Sequence, residues 1–285
     1  MLDYLQYGFF VKALIAMALI SLCAAPIGTY ILTRRLSAIA GGITHACFGG
    51  LGLGYWLGIS PVLTAGAFAV ASSLTVEWGA DRFGLRRDSA VSVVWAIGMA
   101  VGVLFVFLTP GYVPELNTFL FGNILTVGDA DLLAIGIYAV ALALFTALFY
   151  RRLVAVAFDA DFAAVSGLPA RALSYAMTLF VAIGIVLTIR LVGIMLLMSV
   201  LSLPMITAEL FCRRYAGVMA ASAAIGLAAG TAGILLSTVV EVPCAALIVL
   251  VMGALFIAVK AWLTIFVAVR SKKRRGDMPN TEIFQ

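Results

Sequence analysis

The chain has 285 residues, of which 64% are hydrophobic and 11% charged, with a formal net charge of +5. Soluble domains carry about 25% charged residues, so this composition excludes a water-soluble globule and points to a polytopic membrane protein. Backbone in lipid must satisfy its own hydrogen bonds. The long apolar runs show none of the short alternating segments of a β-barrel, so the spans are helices.

A span needs roughly 20 apolar residues. The apolar runs predict helices over 9–33, 43–58, 61–80, 89–109, 131–150, 173–189, 191–211, 216–238 and 243–268, nine in all. The stretch 173–211 is interrupted only by Arg190 and Gly193, and a count of eight holds if one part of it is re-entrant. The opening MLDYLQYGFFVK lacks the basic region of a cleavable signal, so the first run is read as a retained span. Cys23, Cys47, Cys212 and Cys244 lie in or beside apolar runs without CxxC spacing, and are read as small hydrophobes.

Lys and Arg give the orientation. If the loops after the odd-numbered helices face the cytoplasm, they hold 15 of the 18 basic residues: Arg34, Arg35, Arg82, Arg86, Arg87, Arg151, Arg152, Arg171, Arg213, Arg214, Arg270, Lys272, Lys273, Arg274 and Arg275. The other side holds Arg190, with Lys12 and Lys260 in or near spans, and gathers Asp3, Glu115, Asp129, Asp131 and Glu241. The C-terminus is therefore expected inside and the N-terminus outside. The positive charge reflects this sidedness rather than nucleic-acid binding. Residues 1–268 read as a transmembrane domain, and 269–285 as a basic cytoplasmic tail suited to anionic lipid.

Two loops are longer. Residues 110–130, outside, suit a short re-entrant or interfacial helix. Residues 151–172, inside, contain a short amphipathic helix opened by Asp159 and closed by Gly167 and Pro169, with Phe162, Ala163 and Val165 on one side. Such a helix either meets a soluble partner or lies on the membrane as a connector.

No GxxxxGK[ST] phosphate cradle occurs, nor HExxH, and the single histidine supports no Ser/His/Asp arrangement. An enzyme reading has little support. Small-xxx-small spacings at Gly50/Gly54, Gly98/Gly102 and Gly226/Gly230 allow close helix contact. The stretch Leu36–Gly54 holds six glycines and that one histidine, His45. A neutral imidazole is a good transition-metal ligand; the alternative is a polar group bonded between helices. Thr44 and Cys47 fall on other faces of the helix, so a metal would need ligands from elsewhere. Glu209 precedes Arg213 by four and is expected to pair with it. Glu77, near Asp81 and Arg82, is expected at a solvated cytoplasmic end, and Asp88 as the N-cap of the fourth helix. Glu241, in the external turn TVVEVP, is placed to attract cations at a pore mouth.

Six stretches together resemble one family, the permease subunits of zinc/manganese/iron ATP-binding-cassette importers, over about residues 8–268. They are, in order, RRLSAIAGGITHACFGGLGLGYWLGISP, RRDSAVSVVWAIGMAVGVLF, LNTFLFGNILTVGDADL, FDADFAAVSGLPARAL, IRLVGIMLLMSVLSLPMITAELF and VEVPCAALIVLVMGALF. The resemblance implies an all-α polytopic membrane protein of 8–9 transmembrane helices, a type II importer permease similar to the cobalamin permeases. It implies a bacterial cytoplasmic (inner) membrane location and a second permease copy. A separate cytoplasmic ATPase would carry the ATP and dock at Asp159, Phe162, Ala163 and Gly167. A metal-binding protein would dock outside. No cofactor is implied, only a transported divalent metal.

On this resemblance His45 and Asp88 match pathway positions. The family has an acid four residues before the histidine, where Gly41 stands here, and another where Asn123 stands. Loss of carboxylates weakens hard cations more than zinc, which favours zinc over manganese or iron. The alternatives are a permease for a metal chelate or other small nutrient, and an ATP-independent secondary transporter.

Overall fold

The computed structural model describes residues 6–84, 86–110, 122–240 and 242–276. They form helices α1 (Gly8–Thr33), α2 (Ser37–Leu57), α3 (Pro61–Phe83) and α4 (Arg87–Leu108), then a 3₁₀ turn (Ile124–Thr126). Helices α5 (Asp129–Phe158), α6 (Ala160–Val165), α7 (Ala170–Glu209), α8 (Tyr215–Val240) and α9 (Cys244–Gly276) follow. Seven of these are long and apolar enough to cross a membrane; α2, diluted by glycine and His45, and the six-residue α6 are not among them.

Helix α7 is two limbs. Its 40 residues would make a straight rod of about 60 Å, twice the roughly 30 Å of a hydrocarbon core. Gly193 sits at φ 75°, ψ 172° inside it, a region that is essentially glycine's alone. Gly184 and Thr188 before the break, and Leu197 and Leu201 after it, line one small void against Cys23 and Ile27 of α1. The chain therefore doubles back at Gly193. The two expected helices over 173–211 are present, and the break falls at Gly193 rather than at Arg190.

The limbs of α7 and α1 form the centre of the bundle. Phe10, Met17, Ile20, Ile185, Leu196 and Met205 are all fully buried in one apolar core. Helices α4 and α5 are peripheral. Phe107, Leu133, Val140 and Leu148 stand exposed on them, as lipid-facing side chains do.

Glycine decides the close contacts. Gly50 and Gly54 lie against Thr64, Phe68 and Pro61 of α3; Gly98 and Gly102 lie against Ala46 and Phe48 of α2; Gly226 and Gly230 lie against Ser21 and Met17 of α1. Gly49 and Gly52 meet the backbones of Gly98 and Gly102, so α2 and α4 approach backbone to backbone there.

At the end assigned to the outside, Lys12 pairs with Asp129 at 2.7 Å and Arg190 with Asp131 at 3.2 Å. Two of the three basic residues placed on or near that face are thus neutralised by acids there. Gly122, at φ 59°, lays its backbone against the Val192 carbonyl and the Gly193 nitrogen, where a Cβ would not fit. The external connection is fastened to the apex of α7. Residues 111–121 and Glu241 lie outside the described residues, and so does the greater part of the expected re-entrant segment.

Several local expectations change. Helix α2 begins at Ser37, not 43: Gly41 and Gly42 remain helical, packed against the side chains of Met198 and Val91. Helix α9 continues to Gly276 rather than ending at 268. Asp88 is not an N-cap: Arg86 holds that position, no side chain caps the helix, and Asp88 stands exposed in the first turn. Its charge there still favours the helix dipole. Glu209 and Arg213 form no ion pair among the described residues, since α7 ends at Glu209 and the helical i,i+4 geometry is lost.

Candidate functional site

Helix α2 positions His45. Its ring stacks on Trp95 of α4, with centroids 4.9 Å apart and planes 12° from parallel. The pairing follows from the glycine stripe: Gly98, one turn after Trp95, sits against Ala46, which brings the two rings into register. His45 is half-buried, and Trp95 is exposed. Thr44 is buried and donates to the Ala40 carbonyl, and Cys47 is buried on another face. Neither joins His45. Among the described residues no three of His, Cys, Asp and Glu come together as a metal-holding group.

Gly41, one turn before His45, faces the second limb of α7. A Cβ there would stand 3.0 Å from the Met198 Cε. A thioether methyl thus fills the space beside the position where the resemblance led one to look for an acid. Asn123 has a local role: its Oδ1 accepts from the Leu125 N–H at 3.1 Å and starts the 3₁₀ turn. Asp88 lies seven residues before Trp95, about 10 Å along the helix, and nothing brings it to His45 in one chain.

The loop over 151–172 has the expected form. Asp159 caps α6, its Oδ1 accepting from the N–H groups of Asp161 at 3.1 Å and Phe162 at 2.9 Å. Gly167, at φ 80°, and Pro169 turn the chain into α7. The side chains divide differently from the expectation that Phe162, Ala163 and Val165 share a side. Ala163 points inward, 1% exposed, into a small cluster with Leu153, Val156, Ala170 and Leu173. Phe162 and Val165 point outward, 69% and 89% exposed. In a six-residue helix, positions 162 and 165 lie one turn apart and 163 turns away from them.

Glu77 also departs from expectation. It is 1% exposed, not solvated. Its Oε2 lies 3.2 Å from the Arg87 Nε, and its Oε1 accepts from the Thr178 hydroxyl at 2.9 Å. The nearby Asp81 and Arg82 gave the sequence the look of a wet helix end, and the partner on α7 is 101 residues away.

The fold and this layout define a multi-pass integral membrane protein built like a transporter permease: a helical bundle with His45 set between two of its helices and a short helix, α6, that exposes Phe162 and Val165. The chain belongs to the ABC 3 transport family, whose description matches residues 6–262. It is 32% identical over 251 residues to an uncharacterized membrane protein of Synechocystis, covering 88% of this chain and 89% of that one. It is 29% identical over 255 residues to the manganese transport system membrane protein MntC of Halalkalibacterium halodurans, covering 88% and 86%. The solved structure of PsaBC from Streptococcus pneumoniae in complex with Fab has the same fold, with a TM-score of 0.78 and 24% identity over 90% of this chain and 93% of that one.

Proposed function

We propose that this chain is the permease subunit of an ATP-driven importer of a divalent transition-metal ion in a bacterial inner membrane. The observation that carries the reading is α6. Two large apolar side chains, Phe162 and Val165, stand outward on a helix capped by Asp159 and packed through Ala163 onto α7. An exposed apolar pair on a rigid inner helix suits docking by a soluble partner. A family of ABC permeases makes that partner the ATPase, which carries the ATP. An external metal-binding protein delivers the cargo, and a second copy of this chain completes the pathway. Permanent cofactors play no part.

Within the family, the cargo we favour is zinc. His45 offers an imidazole nitrogen, Gly41 offers none, and Met198 fills the adjacent space with soft sulfur. Without a carboxylate, hard cations lose more than zinc does. Transport also needs weak binding so that the ion leaves. Proteoliposomes holding the permease, its ATPase and the external protein decide the matter. Zinc uptake at limiting zinc is expected to depend on ATP, to exceed manganese uptake, and to fall about tenfold or more in His45→Ala, the scale on which even outer partners of a metal ligand act. Uptake unchanged in His45→Ala would remove this residue from the path. Uptake without ATP would turn the reading towards a secondary transporter.

A further inference from the structure

Charged side chains cluster at one place in the bundle, two half-buried arginines near the buried Glu77, and the proposed pathway does not use them. Glu77 of α3 is held between Arg87, the first residue of α4, and Thr178, two turns into α7. Close by, Arg34 at the end of α1 donates from Nη1 to the Tyr30 hydroxyl and to Ser174 of α7, each at 2.8 Å. Ser174 directly follows Leu173, which shares the apolar cluster of Ala163. The other ion pairs among the described residues lie at the outer end.

These contacts form a continuous line. It starts at the exposed face of α6, passes through Ala163 into the first turns of α7, and divides there. One branch runs from Ser174 to Arg34, directly ahead of α2. The other runs from Thr178 through Glu77 to Arg87, which opens α4. Helices α2 and α4 carry the His45–Trp95 stack. A buried ion pair contributes little net stability compared with well-packed apolar groups, and ionisable residues within membrane bundles mark working parts. Coupling between distant sites travels through packed side chains and hydrogen-bond networks.

We propose that Glu77, held by Thr178 and Arg87, is a positioning residue that transmits movement of α6 and α7 to the α2–α4 pair carrying His45. The proposal rests on the importer reading above. Glu77 touches no cargo; it keeps the inner ends of α3, α4 and α7 moving as one.

The test is the ratio of metal taken up to ATP hydrolysed in proteoliposomes of the permease with its ATPase and the external metal-binding protein. Two variants are used. Thr178→Val removes only the hydroxyl donor and leaves the ion pair. Glu77→Gln keeps an acceptor for Thr178 and removes the charge facing Arg87. In both, the ratio is expected to fall about tenfold while ATP hydrolysis stays within about twofold, in the usual range of coupling between two sites. Thr178→Ser, which restores the hydroxyl, is expected to restore the ratio. A ratio that stays constant overturns the proposal, whether the two rates are unchanged or fall together as they would for a merely structural contact. Absence of ATP-dependent uptake in the unsubstituted protein refutes the importer reading itself, and the proposal with it.

Discussion

Gly193 shows how much a single residue decides here. Its φ of 75° with ψ 172° is closed to other residues, and the backbone of Gly122 lies against its nitrogen so closely that Gly122 has no room for a Cβ. Replacing Gly193 by Ala is expected to cost about 1–3 kcal/mol, the usual strain of such a conformation. The fitting control is Gly66→Ala. There an added Cβ meets only the Val186 Cγ1, at 3.6 Å, and the gain in helix propensity amounts to about 1 kcal/mol or less. Unfolding midpoints in mild detergent compare the two. Equal midpoints would contradict the sharp apex. Gly193 was visible in the sequence as an interruption, but its conformation was not, since a glycine within an apolar run also continues a helix. Glu77 was misread for a physical reason. Burial is set by what packs on a residue, and Thr178 belongs to a limb a hundred residues later. The same holds for Met198 opposite Gly41.

Among the elements, α6 was the most legible and α2 the least. Capping is a local matter of an acid, two free N–H groups and a following turn, so Asp159, Gly167 and Pro169 disclosed the helix directly. Which side of it faces the body was not local. That depends on where Leu153, Val156 and Leu173 arrive from the flanking helices. Two substitutions separate the helix from its surface. Asp159→Ala removes both capping bonds and is expected to cost about 0.5–2 kcal/mol, loosening α6 and its ATPase attachment together. Phe162→Ser leaves the cap and the Ala163 cluster intact. It is expected to weaken copurification of the ATPase without moving the unfolding midpoint. ATPase recovery unaffected by Phe162→Ser would show that the exposed face of α6 does not dock the partner. For α2, the small-xxx-small spacings foretold close approach but named no neighbour. The structure gives Gly50 and Gly54 to α3, and Gly49 and Gly52 to α4, so both faces are fixed by glycine. His45, one turn before Gly49, lies half-buried on the α4 face, where its ring meets Trp95.

For the whole molecule the question is which ends of the helices lie on which side, and α7 decides it. As a hairpin, α7 returns to the side it left. Arg171 and Arg213 then share the inner face, Arg190 lies outside beside Asp131, and α8 and α9 bring the basic tail inside. As a single crossing, α7 would carry Arg213, Arg214 and everything after them to the other face, and the tail of Arg270, Lys272, Lys273, Arg274 and Arg275 would stand outside, against the sidedness of basic residues. The shared void of Gly184, Thr188, Leu197 and Leu201 against α1 requires the hairpin. Cysteine labelling in cells tests it. Cys23, Cys47 and Cys244 are buried and serve as silent background once the half-buried Cys212 is replaced by Ser. Arg190→Cys is then expected to react with a membrane-impermeant maleimide from outside, and Arg213→Cys only after permeabilisation. Labelling of both from outside would place the two ends of the second limb on one face and undo the hairpin. The position of α6 would stand, since Thr178, Glu77 and Arg87 hold the start of the first limb of α7 where α4 begins, ahead of the bend.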